Sequence, residues 1–170
     1  MPFTIQPARP EHAAGIIALL QSVASDPVNN ILREPGEPMF TEEDEREFLT
    51  RQAERFDWCG FVAASENGEV IGMVTIDGQR RRAIRHCGDL GISVRAGWRG
   101  QGVGKTLMER AIVWARESGV ITRVELGVLS RNSTAIRLYE RLGFHHEGLR
   151  KRAVLRNGEY LDMLMMALLL

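Results

Sequence analysis

Residues 88–107 read Gly88-Asp89-Leu90-Gly91-Ile92-Ser93-Val94-Arg95-Ala96-Gly97-Trp98-Arg99-Gly100-Gln101-Gly102-Val103-Gly104-Lys105-Thr106-Leu107, and the rest of the chain can be read as support for them. Leu90, Ile92 and Val94 alternate as one face of a strand. Beyond a glycine-rich turn, Leu107, Met108, Ala111, Ile112 and Ala115 recur at three- and four-residue spacing, the stripe of an amphipathic helix. Glycine at 100, 102 and 104 removes side chains that would hold a ligand off the backbone. The first N–H groups of a helix have no partner of their own and sit at the positive end of its dipole. A bare turn feeding such an end suits phosphate, so the stretch predicts a pyrophosphate-bearing cofactor.

Spacing separates the classes that use this device. A nucleoside-triphosphate P-loop reads G-x-x-x-x-G-K-[ST]. Gly104-Lys105-Thr106 fit its end, but its first glycine would fall on Arg99. A dinucleotide fingerprint needs G-x-G-x-x-G. Starting from Gly100 it meets Lys105, and starting from Gly102 it meets Leu107. The stretch does fit [RQ]-x-x-G-x-[GA] through Arg99, Gly102 and Gly104. A strand–helix connection with no ligand would satisfy the same six positions.

Working outward, Phe3-Thr4-Ile5-Gln6 alternates as a first strand, and Pro10 suits the start of a helix carrying Ala13, Ile16, Ile17, Leu20 and Val23. Asp26 to Phe40 holds Pro27, Pro35, Gly36 and Pro38 and reads as a loop, of a length usually given to binding. Thr41 caps a second helix whose first turn is acidic and whose apolar side is Phe48, Leu49 and Ala53. Residues 61–66 and 70–76 flank Asn67-Gly68 as a hairpin. After the long helix, Arg123 to Val128 is a strand expected to pair in parallel with 88–94. Asn132 opens a further helix that Gly143 stops, and strands at about 145–155 and 159–168 flank Asn157-Gly158. The order β-α-α-β-β-β-α-β-α-β-β predicts one α/β domain over 1–170, a mixed sheet with a parallel pair at the cofactor cleft.

The chain has 170 residues, with 22 Lys+Arg against 22 Asp+Glu, so no bulk positive field favours nucleic acid. The run Arg80-Arg81-Arg82 reads as a solvated loop. Cys59 and Cys87 form no CxxC or His/Cys cluster, so no metal site is expected. No signal peptide and no run of about 18 apolar residues stands out, so a cytoplasmic protein is the expectation, with no membrane partner.

A second phrase, Asn132-x-x-Ala135-x-x-x-Tyr139-x-x-x-Gly143-Phe144, follows the strand after the glycine-rich helix. Together with Arg99-x-x-Gly102-x-Gly104 it resembles the GNAT superfamily of acyl-CoA-dependent N-acyltransferases, most clearly over 88–144. The resemblance implies acetyl-CoA as co-substrate and no metal. It also implies a primary amine acceptor, on a small molecule, an amino acid or a protein N-terminus, attacked directly in a ternary complex. It assigns cofactor binding to the backbone of Arg99, Gly100, Gln101, Gly102, Val103, Gly104 and Lys105, and coenzyme contact to Asn132. Main-chain groups of Ile92, Ser93 and Val94 would run beside the pantetheine arm. A homodimer is open by analogy with relatives.

Acyl transfer to an amine needs a proton for the leaving thiolate, and Tyr139 is the candidate acid. The amine must also lose a proton. Asp89, on the strand leading to the loop, is ranked first as base; Glu125, Glu159, Asp162 and water remain alternatives. Gly127 stands where some relatives place a catalytic acid. A non-catalytic acyl-CoA-binding protein, and more distantly a P-loop-like nucleotide-binding module, are the competing readings.

Overall fold

The computed structural model describes residues 2–28, 30–38 and 40–170. Positions 29 and 39 of the expected loop fall outside the described residues. Seven strands form one mixed sheet: β1 (Phe3–Pro7), β2 (Trp58–Ser65), β3 (Val70–Gly78), β4 (Cys87–Val94), β5 (Arg123–Leu129), β6 (His145–Arg156) and β7 (Glu159–Leu169). Their spatial order is β1-β2-β3-β4-β5-β7-β6. Among the described residues, four α-helices pack on the sheet: α1 (Ala13–Ala24), α2 (Glu42–Ala53), α3 (Val103–Glu117) and α4 (Ser133–Arg141). The expected element order and mixed sheet are both present.

Each face of the sheet carries its own core. Phe61, Ala63, Val74, Ile76 and Leu90 pack against the α3 stripe of Leu107, Met108, Ala111 and Ala115. Strand alternation sends Val62, Trp58 and Val70 to the other face, where α1 and α2 cover them with Ile16, Leu19 and Leu49. α2 starts with a capping box: the Thr41 hydroxyl accepts from the Asp44 N–H at 3.1 Å, and the Asp44 carboxylate accepts from the Thr41 N–H at 2.9 Å.

The two Asn-Gly hairpins close differently. Asn157 and Gly158 have φ of 49° and 78°, two left-handed residues in a two-residue loop, as a type I′ turn requires. At the other, only Gly68 is left-handed (φ 79°), and Gly68 N–H donates to Ser65 O at 2.9 Å across a longer loop. A bulge between Ala63 and Ala64 absorbs the changed register.

The feature that positions the site is the seam between β4 and β5. These strands pair in parallel at Cys87–Arg123, Gly88–Val124 and Asp89–Glu125, and then part. Every other neighbouring pair in the sheet is antiparallel. Leu90–Val94 and Leu126–Leu129 therefore face each other across an opening instead of a ladder.

Candidate active site

The opening holds a cleft of about 1310 Å³ that passes from the α3–α4 face to the α1–α2 face of the sheet. Its first wall is main chain. Arg95 N–H donates to Ile71 O at 2.9 Å, which fixes the alternation of the β3–β4 ladder. Ser93 and Gly91 accordingly turn their main-chain groups to β3, whereas Leu90, Ile92 and Val94 turn theirs toward the cleft. On β5, Ser130 N–H bonds Asp162 O at 2.9 Å, so Gly127 and Leu129 present their main-chain groups to the cleft from the opposite side. Of the expected trio, Ile92 and Val94 offer polar groups to a ligand; Ser93 lines the cleft while its main chain belongs to the neighbouring ladder.

The glycine loop supplies the next part of this wall. Gly100 and Gly102 have φ of 74° and 88°, and a Cβ at either would meet nothing within 4 Å. Gly102 is the N-cap of α3 and gives it no side-chain cap. Among the described residues, the main-chain N–H groups of 100–105 donate to no backbone oxygen; the first bond in this turn runs from Thr106 N–H to Gly102 O at 3.0 Å. Six donors in a left-handed turn at a helix start fit a pyrophosphate. Lys105 is exposed beside them, paired to Glu109 at 3.1 Å. Val103 is fully buried in the core and Gln101 donates to Gly97 O at 2.7 Å, so neither side chain lines the cleft.

Arg99 acts as a brace. Its Nε donates to Val94 O at 3.0 Å and its Nη1 to Asp26 Oδ2 at 2.6 Å, tying the glycine loop to the segment after α1. The Val28 N–H and then Arg99 hold the Asp26 carboxyl below the usual carboxylate range, against the opposing effect of burial. Asn132 is equally occupied: its Oδ1 accepts from Ala135 N–H at 3.2 Å as the cap of α4. Its side-chain N–H groups remain for a ligand, since an amide both accepts and donates.

Tyr139 lies on α4, lines the cleft and packs against Phe144 with ring centroids 5.9 Å apart. Burial pushes its phenol up to about 12, so it keeps its proton at neutral pH. The structure thus brings the glycine loop, the β4 edge, Asn132 and Tyr139 to one cleft.

The four acids weighed as a base do not gather there. Asp89 lines a separate depression with Gln79, Arg80 and Arg81, and Gln79 Nε2 donates to its carboxylate. Although Asp89 is exposed as a residue, its carboxyl end is hemmed in; burial first, then the adjacent Glu125, push it up. Glu125 is held by Arg123 at 3.0 Å, and Arg123 also grips Glu147. Asp162 accepts from Arg152 N–H at 2.8 Å, supporting a left-handed residue (φ 52°) at an irregularity in β6. Glu159 is exposed beside the final turn and is not among the cleft residues.

Sequence reasoning missed Glu45. It lies in the first turn of α2, is 7% exposed, and lines the cleft on its α1–α2 side. Burial pushes its carboxyl up. A signal was available: Glu45 stands three and four residues before Phe48 and Leu49, which puts it on the inward face of the helix. Phe48 and Trp58, edge to face at 6.2 Å, line the cleft on the same side, together with Met73 and Thr75.

Comparison with known proteins identifies the family and the fold. Residues 26–144 match the acetyltransferase (GNAT) family. The chain is 40% identical over 106 residues to the L-amino acid N-acetyltransferase AaaT of Escherichia coli, a match covering 62% of this chain and 65% of that protein. It superposes on a GNAT-family acetyltransferase structure from Streptococcus pneumoniae with a TM-score of 0.94 at 32% identity, covering 99% of this chain and 100% of the other. A Salmonella typhimurium structure with acetyl-CoA shares the fold at a TM-score of 0.85 and 22% identity, over 99% and 94% of the two chains. With the family match spanning most of its length, from the segment braced by Arg99 to the end of α4, the chain belongs to the GNAT family of acetyltransferases.

Proposed function

We propose that the chain transfers an acetyl group from acetyl-CoA to the primary amine of an amino acid or similar small molecule, by direct attack in a ternary complex. The observation that carries this reading is the row of unbonded N–H groups at 100–105 beside a strand edge left open by the parted β4 and β5. The relative named for L-amino acid N-acetylation supports the acceptor class.

Acetyl-CoA, when bound, supplies the acetyl group as a thioester. The loop amides and the positive end of α3 hold the pyrophosphate. The Ile92 and Val94 main-chain groups align the arm, with Val94 O already engaged by Arg99. Donors fixed before reaction stabilise developing charge without reorganising, which is the advantage of a main-chain wall. Tyr139, protonated at working pH, delivers a proton to the departing sulfur.

Melting in millimolar acetyl-CoA, followed by a thiol-release screen over L-amino acids, tests the proposal. The expected result is a raised Tm, because a ligand that binds the native state stabilises it by mass action, and release of thiol with at least one amino acid. No shift with acetyl-CoA would refute the cofactor assignment; a shift with no thiol release from any amine would leave a binding protein.

A further inference from the structure

The first turn of α2 carries Glu42, Glu43, Asp44 and Glu45, where acids complement the helix dipole and normally face water. Three of them follow that rule. Glu42 and Glu43 pair with Arg46, Asp44 closes the capping box, and all three are exposed. Glu45 does not. It is turned inward and makes no ion pair or side-chain hydrogen bond among the described residues. The other buried polar side chain of the core, Gln52, is satisfied by Arg55 at 2.8 Å. A carboxyl on a buried residue, open to the cleft and without a protein counter-charge, is placed to receive a cation.

Its surroundings narrow the choice of cation. Asn30 also lines the cleft, its Oδ1 buried and without a protein donor. Phe48, Trp58 and Met73 form apolar walls, and Val28, Leu32 and Phe40 at the mouth are 62–63% exposed. A carboxyl without a counter-charge among apolar walls matches a cation with a hydrocarbon body.

We propose that the Glu45 carboxylate holds the ammonium group of the acceptor, which gives a proton to solvent water before the free amine attacks the thioester, and that acceptors, amino acids among them, join that ammonium to an apolar side chain. This rests on the acetyl-transfer reading of the same cleft. An incoming ammonium supplies the counter-charge that Glu45 lacks, which offsets the burial that pushes its carboxyl up. Glu45 is thereby the specificity-determining residue of the α1–α2 side of the cleft, a role that none of Asp89, Glu125, Glu159 and Asp162 is placed to fill.

The test uses the full chain, its Glu45→Gln and Glu45→Asp variants, and three probes: 2-phenylethylammonium, isoamylammonium and neutral 2-phenylethanol. Melting with each probe at millimolar concentration is the first readout; acetyl-CoA melting shifts report independently on the cofactor half. At least one amine should raise the wild-type Tm while 2-phenylethanol does not. Glu45→Gln should lose that shift and Glu45→Asp should keep part of it, with acetyl-CoA shifting all three proteins alike. In thiol release, Glu45→Gln should raise the KM of the amine at least about tenfold, the effect of losing one charged contact. Equal amine shifts in wild type and Glu45→Gln would overturn the assignment, as would no shift with either amine or an equal shift with the alcohol. A wild type insensitive to acetyl-CoA would strike the acetyl-transfer reading instead, and the amine arm would still decide Glu45. Should Glu45→Gln fail to fold, Glu45→Asp against the alcohol control carries the same decision.

Discussion

The two halves of the cleft are built from different materials. The proposed cofactor half is main chain: amides of 100–105, the free edge of β4 at Ile92 and Val94, and the facing edge of β5 at Gly127 and Leu129. The proposed acceptor half is side chain: Glu45, Phe48, Trp58 and Met73, from α2 and the strands beneath it. A main-chain surface serves any side chains that let the backbone bend correctly, and so leaves a glycine pattern. A side-chain surface is specific to its chemistry, and any patterning that fits the core can accompany it. On the proposed reading, the first surface serves a shared cofactor and the second sets the choice of amine.

Substitutions can break that contrast, beginning with the largest expected effect. Tyr139→Phe keeps the ring packed on Phe144 and removes only the proton, so kcat should fall about a hundredfold while the acetyl-CoA melting shift stays unchanged. Equal turnover would retire Tyr139 as the acid. The same variant should abolish a tyrosinate absorbance step near pH 12, since burial raises that phenol to about 12. A raised phenol contributes stability that is full below its usual value of 10 and is lost as pH rises toward 12.

Gly102→Ala strikes the main-chain half. The new Cβ meets no neighbour within 4 Å, so its cost is conformational: about 1–2 kcal/mol for an L-residue at a φ of 88°. Titration calorimetry should show acetyl-CoA bound about tenfold or more weakly, with the acceptor half undisturbed. Affinity equal to wild type would mean that the cofactor does not use this turn.

Arg99→Ala cuts the brace between the halves and leaves the mostly enclosed Asp26 with only the Val28 N–H. Denaturant unfolding should show a loss of about 1–2 kcal/mol at neutral pH, since Arg99 itself is 38% exposed. The pH dependence carries a sign. With Asp26 held below its usual 3.8, its contribution is present above that value and fades as the solution is acidified. Arg99→Ala should therefore lose less stability than wild type between neutral and acidic pH; an identical acid limb would show that the pair contributes nothing. The smallest effect is expected for Gly127→Ala, whose Cβ would stand 2.6 Å from Met163 Sδ. That flexible thioether can move aside, at a cost of about 1 kcal/mol read as a lowered Tm.

The fold was legible because its signals are local and repeated. The 3.6-residue stripe of α3, the Thr41 cap and the two Asn-Gly turns each mark an element boundary. Asn67-Gly68 shows the limit: the dipeptide marks a hairpin, but the bulge at Ala63–Ala64, set by the pairing of β2 with β3, decides the turn type. The parallel pairing of β4 with β5 was also readable from the helix between them. Where that pairing stops was not, because strand divergence depends on how α3, α4 and β7 pack around the seam. Ranking Asp89 first as base drew on its strand position, which is right; the cleft opens just beyond it, at Leu90 and Leu126. Glu45 was hidden among acids whose ordinary place is in solvent, and only its spacing to Phe48 and Leu49 set it apart.

The three-residue seam has a consequence for how the molecule breathes. Strands β1–β4 on one side and β5–β7 on the other are each laced by long antiparallel ladders, while among the described residues their direct main-chain bonding is confined to 86–89 and 122–125. Native-state deuterium uptake should therefore be rapid at the Ile92 and Gly127 amides and slow in the interior of β3 and β7, dividing the sheet into two cooperative blocks hinged at Asp89 and Glu125. A ligand lying in the gap would bridge those blocks as a surrogate strand, and protection appearing at both amides together would register its arrival.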